Sequence, residues 1–276
     1  MKFILCGIPN LYRSWSLLEK AVMLGDKLGF WGALVSDQYM WGPKGGGDST
    51  MESWTILSHL SAKTNRIRLG TFVTPIPLRP PGILAKVVST VDVISKGRTV
   101  LGVGAGTSRT GFEGYATWDE PSVRVAKTRE AVELILRLWE GERVDFKGRY
   151  YSEKGAILRP RPVQRPHPPL LFGGQKRRMM ELAGQYADMF YVPQWSGIPP
   201  AVSKSIVMGS ARKHSREGQV SFVGGSTLPP KGDDHRASYR GLVKAAEEDG
   251  YGYLLVSFQR SDYLSRMEEF AREFMG

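Results

Sequence analysis

Hydrophobic positions along this chain switch repeatedly between two spacings. Short apolar runs bounded by turn residues alternate with longer stretches in which apolar residues recur every three or four positions. The first run, Lys2–Ile8, predicts a strand, and Ser16–Leu28 predicts a helix with Leu17, Ala21, Leu24 and Leu28 on one face. Strands follow at Trp31–Ser36 and Arg66–Thr74, separated by a loop over 37–51 and a helix over Glu52–Thr64. Gly82–Ile94 is helical, with Leu84, Val87, Val88, Val91 and Ile94 in register. Thr99–Val103 is a fourth strand. Ser122 is a plausible N-cap for a long helix to Glu140, with Val125, Val132, Ile135, Leu136 and Trp139 facing inward.

Residues 143–169 interrupt the rhythm. Val144–Gly148 and Tyr150–Ser152 suit a hairpin, and five prolines between Pro160 and Pro169 favour an extended connection. Alternation then resumes: strands at Leu170–Phe172, Asp188–Val192, Gln219–Val223 and Tyr251–Phe258, with helices to about Tyr186, after Pro200, over Asp234–Asp249 and over 261–274. Eight strand–helix units in roughly 250–280 residues are what a (β/α)8 TIM barrel requires, and no domain break is visible over 1–276. The rival, an open doubly wound sheet, rarely reaches eight units without dividing.

Composition changes this picture little. The chain has 276 residues, 41% hydrophobic and 24% charged, an ordinary globular balance. No apolar run reaches the length of a membrane span, and the N-terminus has too short an apolar core for a secretion signal. A single cysteine forbids an intramolecular disulfide and fits a reducing cytoplasm. The net charge of +11 suits an anionic ligand, nucleic acid or simply an alkaline proteome. The charges are dispersed, however, and do not interleave with aromatic residues as a base-stacking platform would, so no nucleic-acid partner and no membrane is expected.

Candidate chemistry gathers at predicted strand ends. Gly102, Gly104 and Gly106 form a G-x-G-x-G run, which is not the dinucleotide fingerprint. It offers either bare backbone to an anion or flat ring, or simply close strand packing. Lys176, Arg177 and Arg178 follow Gly173-Gly174 in the first turn of a helix, where the macrodipole disfavours cations. A bound phosphate would remove that conflict, and so would solvation. His59, His167, His214 and His235 lack metal-ligand spacing, and no nucleophile elbow or P-loop occurs. A phosphate-gripping face without an acid–base pair points to a cofactor that carries the reaction.

Several stretches, in order, resemble the bacterial luciferase-like family of flavin- and deazaflavin-dependent barrel enzymes. They are Val35-Ser36-Asp37, SWTILSHLSAKTNRIRLGTFVTP from Ser53, LAKVVSTVDVISKGRTVLGVGAG from Leu84, REAVELILRLWEG from Arg129, VDFKGRYY from Val144, RPVQRPHPPLLFGG from Arg161 and ELAGQYADMFYV from Glu181. The resemblance implies a luciferase-like barrel whose mouth holds a tricyclic ring. It implies a non-proline cis peptide at Phe72–Val73, continuing into Thr74, that bulges against the ring. Gly104, Ala105, Gly106 and Thr107, with Gly173 and Gly174, would hold the cofactor phosphate. Asp37 would lie near the polar edge of the ring, or else cap a helix or brace its loop. Asp37, Trp41 and Thr107 are the catalytic candidates; no metal is implied.

Two departures bear on the reaction. Deazaflavin members often place a proton-transferring His where Gln38 stands, and sugar-phosphate dehydrogenases of the family carry a Glu where Thr107 stands. A glucose-6-phosphate activity is therefore not expected. The reading is a coenzyme F420-dependent oxidoreductase passing a hydride to or from a small organic substrate, as a cytoplasmic homodimer. The alternatives are an FMN-dependent monooxygenase and, from another class, a non-catalytic ligand-binding barrel or basic nucleic-acid binder.

Overall fold

The computed structural model describes residues 1–6, 14–40, 50–112, 114–193, 196–226, 228–229 and 235–276. Eight parallel strands close on themselves: β1 (Lys2–Leu5), β2 (Gly32–Val35), β3 (Arg68–Thr71), β4 (Thr99–Gly104), β5 (Leu170–Phe172), β6 (Met189–Tyr191), β7 (Ser221–Gly225) and β8 (Tyr253–Val256). β8 pairs with β1 through Lys2–Tyr253 to Leu5–Val256, and that pairing shuts the ring. Helices α1 (Trp15–Leu28), α2 (Ser53–Lys63), α3 (Pro81–Ile94), α4 (Pro121–Glu140), α5 (Arg177–Tyr186), α6 (Pro200–Lys213), α7 (His235–Glu248) and α8 (Tyr263–Phe274) follow the strands in turn. The fold is the expected TIM barrel. Among the described residues, no helix is long and apolar enough to cross a membrane.

The period-two alternation of each strand builds two cores. Ile4, Cys6, Leu34, Val100, Leu171, Met189, Tyr191, Val223 and Leu255 pack inside the ring. Their neighbours, among them Phe3, Leu5, Val35, Leu101 and Phe172, pack outward against the helices. Gly102 in β4 serves the first of these: a Cβ there would lie 2.0 Å from the Thr71 carbonyl oxygen of β3. At that glycine, close packing of the two strands by itself excludes a side chain.

β3 does not run straight through. The Phe72–Val73 peptide is cis, and a two-residue continuation, Thr74–Pro75, rejoins β4 beyond it. The family resemblance anticipated this bulge at that bond.

Several boundaries differ from the sequence reading. α4 begins one residue before Ser122: Pro121 opens the helix and Glu120 holds the cap position without a side-chain cap bond, so Ser122 caps nothing. β7 ends at Gly225, two residues late, because Gly224 and Gly225 stay in the ladder opposite Leu254 and Leu255. The hairpin pairs Val144–Lys147 with Ser152–Ala156, so its second strand starts where it was expected to finish. On α1 the buried face is Leu18, Ala21, Val22 and Gly25, with Leu17, Leu24 and Leu28 half-buried at its edge. Ile94, expected inside, is 41% exposed.

The proline-rich connection is fastened by Asp92, fully buried on α3. Its carboxylate accepts the backbone N–H groups of Val163 and Gln164, the Gln164 side-chain amide and the Thr99 N–H.

Candidate active site

A cavity of about 940 Å³ opens over the C-terminal ends of β2 to β6. In this fold, that end of the ring carries the chemistry. One wall is the bulge, Phe72 and Val73, continued by Pro75 and Leu78. The facing wall is the turn after β4, Gly104 to Ser108, and the turn after β5, Gly173 and Gly174. Val73 lies between the two turns. A Cβ on Gly104 would fall 2.5 Å from Val73 Cγ2, and one on Gly173 would fall 3.1 Å from Val73 Cγ1. Gly106 has φ +86°, a left-handed geometry in which side chains are disfavoured. Bare backbone is therefore what lets the bulge and both turns meet around one space.

The far end of the cavity is cationic. Lys176 holds the N-cap position of α5 without a side-chain cap bond, and Arg177 and Arg178 are its first two residues. All three line the cavity, together with Arg124. No Asp, Glu or His belongs to the lining among the described residues. An uncapped helix N-terminus, two glycines and a cluster of cations are features that favour an anion at that end.

Arg124 is 7% exposed and fixes the glycine turn from behind. Its guanidinium donates to the Ala105 carbonyl (3.1 Å), the Gly106 carbonyl (3.4 Å) and the Asp119 carbonyl (2.5 Å), and stacks 3.7 Å from the Trp118 ring centroid. Burial holds its pKa below the usual value, with Glu120 and Asp119 opposing. Nothing in the spacing of the sequence singled it out.

Asp37 does not line the cavity. It is 1% exposed and lies beneath the bulge, so the loop-bracing alternative describes its place. Arg79 grips it with two hydrogen bonds of 2.8 Å, the Thr74 hydroxyl donates to it at 2.7 Å, and Arg79 also reaches Glu52 at 2.7 Å. Thr74 Oγ1 lies 3.0 Å from Thr71 Oγ1, which accepts the Gly102 N–H at 3.2 Å. The residues on both sides of the cis bond are thus tied to one polar chain that runs from Glu52 to β4. Burial alone would lower the Arg79 pKa, but the charge and hydrogen bonds of Asp37 hold it above the ordinary value. For Glu52, burial raises the carboxyl, and the bonds from Thr55 and Arg79 outweigh it and hold the pKa low.

Of the other predicted site residues, Phe72, Val73, Gly104, Ala105, Gly106, Thr107, Gly173 and Gly174 come together on the cavity, and Thr74 sits behind it, fully buried. Gln38 lines it as well. Trp41 lies outside the described residues. Arg79, Arg124 and Tyr191 were missed. Tyr191 closes the floor: its hydroxyl donates to the Gly225 carbonyl at 3.2 Å, its ring meets Phe72 edge-on, and burial pushes its pKa well above the usual tyrosine value.

The model of a known family, luciferase-like monooxygenase, matches residues 12–220. The chain belongs to that family. Luciferase-like relatives with curated functions include an F420-dependent glucose-6-phosphate dehydrogenase from Microbacterium testaceum, 36% identical over 168 residues that make up 60% of this chain and 49% of the relative. Another of the same name, from Nakamurella multipartita, is 33% identical over 199 residues, 71% of this chain and 57% of the relative. The chain spans about half the length of these relatives. Among solved structures, the monooxygenase RslO1 from Streptomyces bottropensis superposes with a TM-score of 0.77 at 20% identity, covering 100% of this chain and 99% of that one. An F420-dependent secondary alcohol dehydrogenase in complex with an F420-acetone adduct does so with a TM-score of 0.75 at 19% identity, covering 97% and 96%. These superpositions establish the luciferase-like barrel.

Proposed function

We propose that this chain is a coenzyme F420-dependent oxidoreductase acting on a small organic molecule. The observation that carries the proposal is the cavity itself: a bulge and two glycine turns shaping a flat apolar slot, and four cations at one end with no carboxylate in the lining among the described residues. The residues fit an anionic planar cofactor on both counts. The names borne by the curated relatives favour a deazaflavin over a flavin.

Lys176, Arg177 and Arg178, with the Gly173-Gly174 turn and the start of α5, would hold the cofactor phosphate. Phe72 and Val73 would support one face of the ring, backed by the Asp37–Arg79 brace. Bound there, a deazaflavin supplies hydride transfer at a single ring carbon. The apolar wall would keep water from the reacting atoms, and orientation would be the main contribution of the chain. Gln38 and Thr107 can hydrogen-bond a substrate but cannot carry a proton at neutral pH. We therefore place sugar phosphates outside the substrate range, in contrast to the activity for which these relatives are named.

We also propose a cytoplasmic homodimer. What supports the dimer is the exposed apolar surface of α3, where Ile83 is 60%, Val93 39% and Ile94 41% exposed. For the cytoplasm, the support is the cysteine count: one, too few for a disulfide within this sequence.

Titration of the purified protein with F420 and with FMN, followed by fluorescence and absorbance, tests the cofactor. Tight binding of F420 and weak binding of FMN is the expected result. Binding of FMN alone would replace this reading with the monooxygenase one, and binding of neither would remove a redox function altogether.

A further inference from the structure

Arg124 commits its guanidinium to backbone. Nε donates to the Ala105 carbonyl, Nη2 to the Gly106 carbonyl and Nη1 to the Asp119 carbonyl. The group lies over Trp118, and Trp118 meets Phe112 edge-on with ring centroids 5.1 Å apart. Phe112 is 1% exposed and closes on the same turn: a Cβ on Gly106 would fall 2.6 Å from its ring. Asp119 is tied back to α4 by Lys127 at 2.5 Å. The glycine turn is therefore clamped by bonds to its carbonyls and by an aromatic ring, all from the segment 105–127.

A clamp on carbonyls fixes direction as well as place. The peptide units joining residues 105, 106 and 107 are trans. In a planar trans unit the N–H points opposite to the carbonyl. With both carbonyls drawn to Arg124, the N–H groups of Gly106 and Thr107 point away from it. Among the described residues, neither N–H meets an acceptor, and both residues line the cavity. Adjacent N–H groups around a residue of left-handed backbone, as Gly106 is at φ +86°, make a seat for an anion.

We infer that Arg124 is a positioning residue: its fork of donors aims the Gly106 and Thr107 N–H groups at the cofactor phosphate. The inference rests on the reading of the cavity as a cofactor site and deepens it, adding the turn after β4 to the cations of α5 as a source of donors. Arg124 borders the cavity too, so direct ionic contact with the phosphate is the competing role. The two roles differ in what lysine can replace. An ammonium keeps the charge, but it cannot hold three carbonyls in the plane of a guanidinium.

Fluorescence titrations of the wild type, Arg124→Lys and Arg124→Met with F420 and with its phosphate-free deazariboflavin chromophore provide the test. Both variants should bind F420 about tenfold to a hundredfold more weakly, and the phosphate-free chromophore as the wild type does. In NMR spectra of the wild type, the Gly106 and Thr107 amide protons should move downfield with F420 and not with the phosphate-free chromophore. Trp118→Leu takes away only the platform under the guanidinium and should show the same split between the two ligands, a few-fold in size. Wild-type affinity for F420 in Arg124→Lys would assign the effect to charge and overturn the inference. An equal loss for both ligands would reduce Arg124 to a structural support and overturn it as well, as would amide protons that F420 leaves unmoved. If both Arg124 variants fail to fold, Trp118→Leu decides, and absence of the split there overturns the inference. If the wild type takes FMN and not F420, FMN and riboflavin replace the two ligands. A split between those two would uphold the role of Arg124 while removing the F420 reading. Binding of none of the four would remove both.

Discussion

Asp37 shows what a single residue contributes here without touching the reaction space. Its side chain is fully buried, and Arg79 is 11% exposed. A charge in that position persists because two bonds of 2.8 Å and the Thr74 hydroxyl satisfy it. Arg79→Met would leave the carboxylate buried without its cation, and should lower stability by about 3–5 kcal/mol in chemical denaturation. Thr74→Val removes one donor and keeps the ion pair, so its cost should be nearer ~1 kcal/mol, accompanied by weaker cofactor binding as the bulge loses a tether. A cost below about 1 kcal/mol for Arg79→Met would show that the pair braces nothing. Asp37 was legible from its place after β2, but its partner was not. Arg79 lies 42 residues away, and pairing between side chains on different loops leaves no periodic trace.

At the level of elements, the junction between α1 and β3 repeats this device. The Asp26 carboxylate accepts the backbone N–H groups of Asn65, Arg66 and Ile67, and the Arg66 guanidinium returns to the carbonyls of residues 26 and 27. Burial pushes the Asp26 pKa up, and the three backbone bonds outweigh it and hold it low. A carboxyl whose folded pKa is depressed stabilises the fold above its unfolded pKa and stops doing so as pH falls through the folded one. Melting temperature should therefore drop as pH falls below about 4, and Asp26→Asn should flatten part of that drop. An unchanged acid slope in the variant would count against the bonds. Helix and strand positions were largely readable from spacing alone, whereas their ends were not. Pro121 took the start of α4 from Ser122, and two glycines kept β7 paired past its last apolar residue. Such ends are decided by local backbone bonds, which apolar periodicity does not record.

The whole molecule was the most legible, because eight alternations of two spacings leave few ways to bury every apolar face. The location of the cavity followed from that closure. Its extent did not: Gly224, Gly225, Gln259 and Arg260 also stand at strand ends, yet none lines it. The exposed apolar surface of α3 bears on the assembly. If Ile83 meets its counterpart in a second copy, Ile83→Glu should convert the dimer to monomer in sedimentation while leaving the circular dichroism spectrum intact. A wild type that sediments as a monomer would refute the pairing.

Closure of the ring has one more effect. Cys6, the only cysteine, is 3% exposed and sits among the side chains that fill the interior. An alkylating reagent reaches that sulfur only when the packing around it opens. The rate at which the protein becomes labelled is then a clock for that local opening at the end of β1, built in without any engineering.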